Sequence, residues 1–455
     1  MKDVFLSNSL LLVFFLIFGS ATGQGVQRVK VSAPQTSFKF DFGTGKTATG
    51  FLPVTPATVY TAARGYGFFP GTTLKAITRK GHDALRSDFI THDQPFFFTV
   101  DLPEGNYNVT ITLGDKSGTS TTTVKAECRR LMLEKVQTTL GKFETRTFTV
   151  HVRNSQIGNT GEKVRLKPRE LNYLHWDNQL TLEFNNTSPK VCAVEITKVD
   201  DAITVFLAGN STVVDQDREP WAAWGQMIPV FFQPGKVAIA NYAESGETLK
   251  AFAGEKRLAK VLSLIKPGDY LFIEFAHNDQ KPGSSHLDAF TTYKEQLKLY
   301  ISAARQKGAI PVLVTSMHRR RFDEQGHIVN TLENYPAAMR QTAQEEKVAL
   351  LDLNQMSKIF YEALGPEKSK KAFVHYPANS FPGQDTELKD DTHFSTYGAY
   401  QLAKCVVEGI KTADLGIAPC LVKNLPVYNP AQPDQVENWQ LPLSPPSAII
   451  KPDGN

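Results

Sequence analysis

Five short apolar runs constrain this chain more than any other feature. They are "ITVFLA" from Ile203, "KVAIAN" from Lys236, "DYLFIEFA" from Asp269, "IPVLVTS" from Ile310 and "VALLDL" from Val348. Amphipathic stretches separate them, such as "TTYKEQLKLYISAARQKG", whose Gly308 falls where a helix end favours glycine. Strand, helix and strand in repetition call for parallel strands joined by right-handed crossovers. Residues 202–420 are therefore predicted to form an α/β domain with helices on both faces of the sheet.

The preceding region reads differently. Across residues 35–200, "PFFFTVDLPEGNYNVTITLGD", "KFETRTFTVHVRN", "NQLTLEFNN" and "KVCAVEITKV" alternate apolar and polar residues between turn residues. An antiparallel β-sandwich is the expected arrangement. Two domains also suit a length of 455 residues. A net charge of +4 is too small to argue for nucleic acid.

The ends are read apart from the fold. Lys2, the apolar run "SLLLVFFLIFG" and the small residues of "SATGQ" read as a signal peptide over residues 1–23, so export to the periplasm or exterior is expected. No second apolar stretch of spanning length follows. Residues 421–455 form a Pro-rich tail, either draped over the domain or disordered. Of the 4 cysteines, Cys405 and Cys420 are close enough in sequence for a bridge, whereas Cys192 alternates like a core strand residue.

In open α/β sheets, ligands bind beyond the carboxyl ends of the strands. That rule selects Gly209-Asn210-Ser211 after the first strand, Asn241 and then Ser245-Gly246 after the second, His277-Asn278-Asp279 after the third, and "LKDDTHFSTYGAYQLA" before the last helix. These parts suffice for acyl transfer. Ser211 needs a base, which His393 supplies, and a carboxylate must hold that imidazole. Asp390 lies three residues before His393, so a single turn brings them together. Asp391 is the rival, but an extended segment would give it and His393 different neighbours. The N–H groups of Ser211 and Gly246 and the Asn278 amide are candidate oxyanion donors. Each residue also has an ordinary reading: Ser211 in an Asn210-Ser211-Thr212 glycosylation sequon, Gly246 and Asn278 in turns, Asp390 and His393 as a helix cap. A metal site from His277, Asp279, Asp390 and His393 has no further ligand set to support it.

At these residues the chain resembles the SGNH (GDSL-type) hydrolases. "FLAGNSTVV", "NYAESGETL", "FIEFAHNDQ" and "DDTHFSTYGA" are similar to that superfamily's four blocks, in order. Within it, the Ser-Thr after Asn210 and the His-Asn-Asp run at 277–279 resemble rhamnogalacturonan acetylesterases. The resemblance implies a flavodoxin-like three-layer α/β/α fold and a reaction without metal or other cofactor. It implies Ser211, Asp390 and His393 as the triad, with Ser211, Gly246 and Asn278 as the oxyanion hole. Asn210 stands where the family usually has Asp. Its carbonyl oxygen still accepts hydrogen bonds, so the geometry is expected to survive. "FKFDFGTG" and "YTAARGYGFF" resemble galactose-binding-like modules of pectin-degrading enzymes.

The implied substrate is an acetylated plant cell-wall polysaccharide, rhamnogalacturonan first and xylan second, with a lipase-like esterase third. Arg319, Arg320 and Arg321 are candidates to meet galacturonate carboxylates, or else form surface ion pairs in a solvated loop, and Trp221 and Trp224 either stack on sugar or pack from a helix onto the core. A polysaccharide-binding protein with a silent esterase domain is the reading from another class.

Overall fold

The computed structural model describes residues 34–445, so the signal-peptide reading lies outside the described residues. Residues 35 to 445 belong to one compact unit.

Its β-rich half is a sandwich. One sheet runs in the order Phe143–Val152, Gly105–Gly114, Lys190–Lys198, Ser37–Phe42 and Leu52–Val54, with Asp88–Thr91 attached to the third strand and Lys75–Thr78 to Asp88–Thr91. The other runs Tyr66–Phe68, Phe96–Asp101, Gln179–Asn185, Ser120–Ala126 and Arg130–Thr138. The period-two pattern explains the packing. Along Gly105–Gly114, Tyr107, Val109, Ile111 and Leu113 are buried, while Asn108, Thr110 and Thr112 face outward. Between the sheets Phe98 collects Phe40, Phe42 and Phe68 at centroid distances of 5.1, 4.9 and 5.3 Å, in edge-to-face contacts.

The five apolar runs all become parallel strands: Ile203–Gly209, Val237–Asn241, Tyr270–Glu274, Ile310–Val314 and Ala349–Leu351. Their spatial order is second, first, third, fourth, fifth, which is the flavodoxin-like order. The runs are nearly continuous in apolar residues because helices cover both faces. Val205, Leu207 and Phe272 enter one core with Leu402 and Val406 of the helix Thr396–Thr412. Phe206, Ala208 and Ile273 enter the other with Leu297 and Ile301 of the helix Lys294–Gln306. The strand order reverses at the first strand, which places the crevice between the carboxyl ends of the first and third strands.

Sandwich and α/β layers meet through charge. Arg130 begins a sandwich strand, and its Nε and Nη2 donate to Asp215 Oδ2 at 3.1 and 2.7 Å, both side chains being buried. Asp215 Oδ1 accepts from Asn241 Nδ2 at 2.9 Å, and the same amide donates to the Val213 carbonyl at 2.7 Å.

Of the two readings of the tail, the draped one applies to its described part. Trp439 lies on Tyr400 at a centroid distance of 4.5 Å, and Ser444 is buried among Lys125, Glu183 and Glu219. The Cys405–Cys420 bridge does not form, since all four cysteines are free thiols. Cys405 is buried inside the last helix, while Cys420 lies in the turn after it.

Arg130→Met leaves the Asp215 carboxylate buried without its cation. It is expected to cost about 3–5 kcal/mol in chemical denaturation, and the joint Arg130→Met/Asp215→Asn variant less than that.

Candidate active site

Ser211 lies two residues beyond the first parallel strand, Ile203–Gly209, and is buried. The turn that holds it is tied by Asn210, whose Oδ1 accepts from Thr212 N at 3.1 Å and from Thr212 Oγ1 at 2.9 Å. The expected acceptor role of the Asn210 carbonyl oxygen is thus filled. Asn210 is 0% exposed, so the sequon reading fails: a glycan has no room there.

Asp390 and His393 sit on a strand, Leu388–Phe394, rather than in a plain loop. It pairs with Phe373–Tyr376, and between Val374↔Asp390 and Phe373↔Phe394 the register jumps. Residues 391–393 bulge out, and the bulge turns both side chains to one side. Asp390 Oδ1 accepts the backbone N–H of Thr392 and of His393 at 2.9 and 3.0 Å. Asp390 Oδ2 accepts from His393 Nδ1 at 2.8 Å, and His393 Nε2 lies 2.8 Å from Ser211 Oγ. With Nδ1 donating to the carboxylate, Nε2 is left to accept the serine proton. Burial works to raise the Asp390 pKa, but the hydrogen bond and charge of His393, with the two backbone donors, hold it well below the usual carboxylate range. Asp391, the rival carboxylate, points elsewhere: its Oδ1 meets His375 Nε2 at 2.7 Å and Arg320 Nη1 at 2.9 Å. The helix cap is also separate, since Ser395 caps Thr396–Thr412.

The three candidate oxyanion donors share this edge. Glu244 N donates to the Gly209 carbonyl at 3.2 Å, which ties the second-strand loop to the Ser211 turn. Asn278 Nδ2 donates to the Glu247 carbonyl at 3.0 Å, which ties the third-strand loop to the same place. That bond fixes the orientation of the Asn278 amide, because its oxygen could not face a carbonyl. Gly246 adopts φ +83°, a conformation that favours glycine. It is half-buried, while its neighbours Ser245 and Glu247 are buried.

The substrate-contact candidates fare differently. Trp221 is 1% exposed, and its Nε1 donates to Asp390 Oδ2 at 3.3 Å. It backs the carboxylate and offers no ring face to a sugar. The three arginines do not form a cluster. Arg319 lies half-buried against the His277 carbonyl, at 3.2 Å, and feels the Asp390 charge. Arg320 is spent on Asp391, Ser369 and the Pro366 carbonyl, and Arg321 is exposed. His277 and Asp279, weighed as metal ligands, are engaged in the fold: His277 Nε2 meets the Met317 carbonyl at 2.8 Å, and Asp279 Oδ1 accepts from Leu249 N at 2.8 Å.

Sequence reasoning missed one buried acid beside the Ser211 turn. Glu274 ends the third strand, and its carboxyl group shares hydrogen bonds with Thr212 Oγ1, at 2.9 Å, and with Ser316 Oγ. Only its place as a carboxylate inside the apolar run "DYLFIEFA" signals a special role.

Residues 206–399 match the GDSL-like lipase/acylhydrolase family. Rhamnogalacturonan acetylesterase RhgT of Bacillus subtilis is 45% identical over 222 residues, covering 48% of this chain and 94% of that protein. The chain belongs to the GDSL-like lipase/acylhydrolase family. As a member of that GDSL family it is an esterase. Its β-rich half matches a second description, the galactose-binding domain-like module of β-agarase and YXIM esterases, over residues 38–160. A probable rhamnogalacturonan acetylesterase of B. subtilis, YesY, is 37% identical over 223 residues, with 48% of this chain and 97% of that protein covered. The uncharacterized esterase YxiM of B. subtilis is 27% identical over 409 residues, 88% of this chain and 96% of that protein, so the similarity extends over both halves.

Burial raises the Glu274 pKa from its ordinary value of about 4.5 to about 7, against the hydrogen bonds from Ser316 and Thr212. The folded GDSL domain therefore favours protonated Glu274, and this contribution is full below the unfolded value and is lost as pH rises towards the folded one. Glu274→Gln is expected to remove that loss. Denaturation at pH 4 and pH 8 should show the difference between variant and wild type shifting by about 2–3 kcal/mol in favour of the variant.

Proposed function

We propose that the chain is a carbohydrate O-acetylesterase that removes acetyl groups from rhamnogalacturonan, with Ser211, His393 and Asp390 as its triad. The observation that carries this reading is the relay at the sheet edge, in which Ser211 Oγ and His393 Nε2, and His393 Nδ1 and Asp390 Oδ2, are each 2.8 Å apart. Ser211 Oγ attacks the acetyl carbonyl carbon while His393 Nε2 takes its proton. The oxyanion that forms meets the N–H of Ser211, the N–H of Gly246 and the second N–H of the Asn278 amide. Collapse expels the sugar hydroxyl, protonated by His393, and leaves acetyl on Ser211. Water, deprotonated by His393, then releases acetate and restores the serine. Asp390 holds the imidazole in the needed tautomer throughout, and Trp221 and the two backbone donors fix Asp390.

The substrate class rests on the rhamnogalacturonan acetylesterases among the relatives, and on a sugar-module-like sandwich beside the hydrolase half. The apolar leader after Lys2 supports action outside the cytoplasm, in the periplasm or beyond. A silent, polysaccharide-binding role is disfavoured, because a chain without catalysis has no use for a base aligned on a buried serine.

Acetate release from acetylated rhamnogalacturonan and from acetylated xylan is the test. Ser211→Ala, His393→Ala and Asp390→Asn are each expected to lower kcat by at least about a thousandfold. Asn278→Ala should lower it by roughly a hundredfold or more. Release from xylan in preference to rhamnogalacturonan would overturn the substrate, and release unaffected by Ser211→Ala would overturn the site.

A further inference from the structure

The segment between the sandwich strands Phe143–Val152 and Gln179–Asn185 leaves the sandwich and reaches the hydrolase loops. It carries Lys167 and Arg169, flanking Pro168 at the start of the short helix Pro168–Asn172. Both cations converge on one backbone atom. Lys167 Nζ donates to the Ser245 carbonyl oxygen at 2.6 Å, and Arg169 Nη2 donates to the same oxygen at 2.8 Å. That carbonyl belongs to the peptide whose other end is the Gly246 N–H.

We propose that Lys167 and Arg169, supplied by the β-rich module, orient and polarise the Ser245–Gly246 peptide so that its N–H serves as an oxyanion donor. This rests on the oxyanion role of Gly246 in the function proposed above. The peptide unit is planar and trans, so its C=O and N–H point in opposite directions. Two cations that fix the oxygen on one side therefore fix the N–H on the other. They also draw electron density towards the oxygen, which leaves the N–H a stronger donor, as in any chain of polarised hydrogen bonds. Among the described residues no acceptor meets the Gly246 N–H, and Gly246 is the half-exposed position of an otherwise buried loop.

The cations are themselves held. Arg169 Nε and Nη2 reach Glu244 Oε1 at 3.0 and 2.7 Å, and Lys167 Nζ lies 2.5 Å from Glu247 Oε1. Glu244 and Glu247 are buried on either side of the Ser245–Gly246 peptide. The segment is anchored by Glu170, which is fully buried and takes Arg257 Nη1 and Nη2 at 3.0 and 2.5 Å and the Lys167 N–H at 2.8 Å. Two ion pairs would need no shared carbonyl; its sharing points to the peptide as the object being held. Lys167 and Arg169 touch no reacting atom in this scheme. They are positioning residues.

The test uses the full chain with glycine labelled by 15N. It compares wild type, Lys167→Met/Arg169→Met and the charge-keeping Lys167→Arg/Arg169→Lys. The two side chains are 21% and 29% exposed, so the fold is expected to survive, and each single Met variant gives the same readouts if the double one does not fold. The double Met variant should move the Gly246 amide proton upfield and lower kcat on acetyl esters at least about tenfold, with KM within about twofold. The charge-keeping variant should restore most of both. An unmoved Gly246 amide, or a raised KM with kcat unchanged, would overturn the proposal. Wild type that hydrolyses no acetyl ester would instead overturn the function on which it rests, and the amide shift still decides whether the cations hold the peptide.

Discussion

The buried contact of Arg130 with Asp215 is the constraint on which the rest depends. Asp215 lies four residues after Ser211, in the loop that follows the first parallel strand. Its two oxygens reach in different directions, one to Arg130 of the sandwich and one to Asn241 at the end of the second parallel strand. Arg130 also donates to the His151 carbonyl at 3.2 Å, and Asn241 to the Val213 carbonyl at 2.7 Å. One carboxylate thereby joins the sandwich, the Ser211 loop and the strand that leads to the Gly246 loop. Burying such a pair gains little net stability over apolar packing, but breaking it is costly, so its value lies in fixing one arrangement. Here the arrangement fixed is the edge of the sheet where the serine stands.

A second set of bonds carries that order outward. Glu244 to Gly209 and Asn278 to Glu247 sew the loops after the first, second and third strands to one another. The fourth contribution arrives from the far end of the chain through the bulged strand Leu388–Phe394. No element brings more than two of the groups, so the site exists only when the sheet is assembled. The sandwich is more than a neighbour in this scheme. Arg129 donates to the carbonyls of Gln216 and Trp221 at 3.1 and 2.9 Å, and Trp221 in turn backs Asp390.

Much of this was legible in the sequence, for physical reasons that differ by region. The five parallel strands announce themselves because both faces are covered and nearly every side chain must be apolar. The rule about strand ends leads to the stretches Gly209-Asn210-Ser211, Ser245-Gly246 and His277-Asn278-Asp279, and the needs of acyl transfer single out Ser211, Gly246 and Asn278 within them. The hairpin that carries Asp390 and His393 does not announce itself, since "LKDDTHF" is polar and its partner strand Phe373–Tyr376 is only four residues long. The spacing of Asp390 and His393 was readable all the same, because the bulge works as the single turn that the spacing suggests. Trp221 misled, since a tryptophan near a nucleophile suggests a sugar platform and only burial reveals a donor to a carboxylate. The three arginines misled for a related reason: adjacency in sequence does not make a shared face. Lys167 and Arg169 left no trace, because their target lies more than seventy residues away and is a backbone atom.

We propose that Ser211 is the residue made nucleophilic by this architecture. It is tested most directly by treating the full chain with a phosphonylating ester and locating the adduct by peptide mass spectrometry. A single adduct is expected on the peptide containing Ser211, formed by wild type and not by His393→Ala. An adduct on another residue, or ester hydrolysis that continues with Ser211 unmodified, would contradict it.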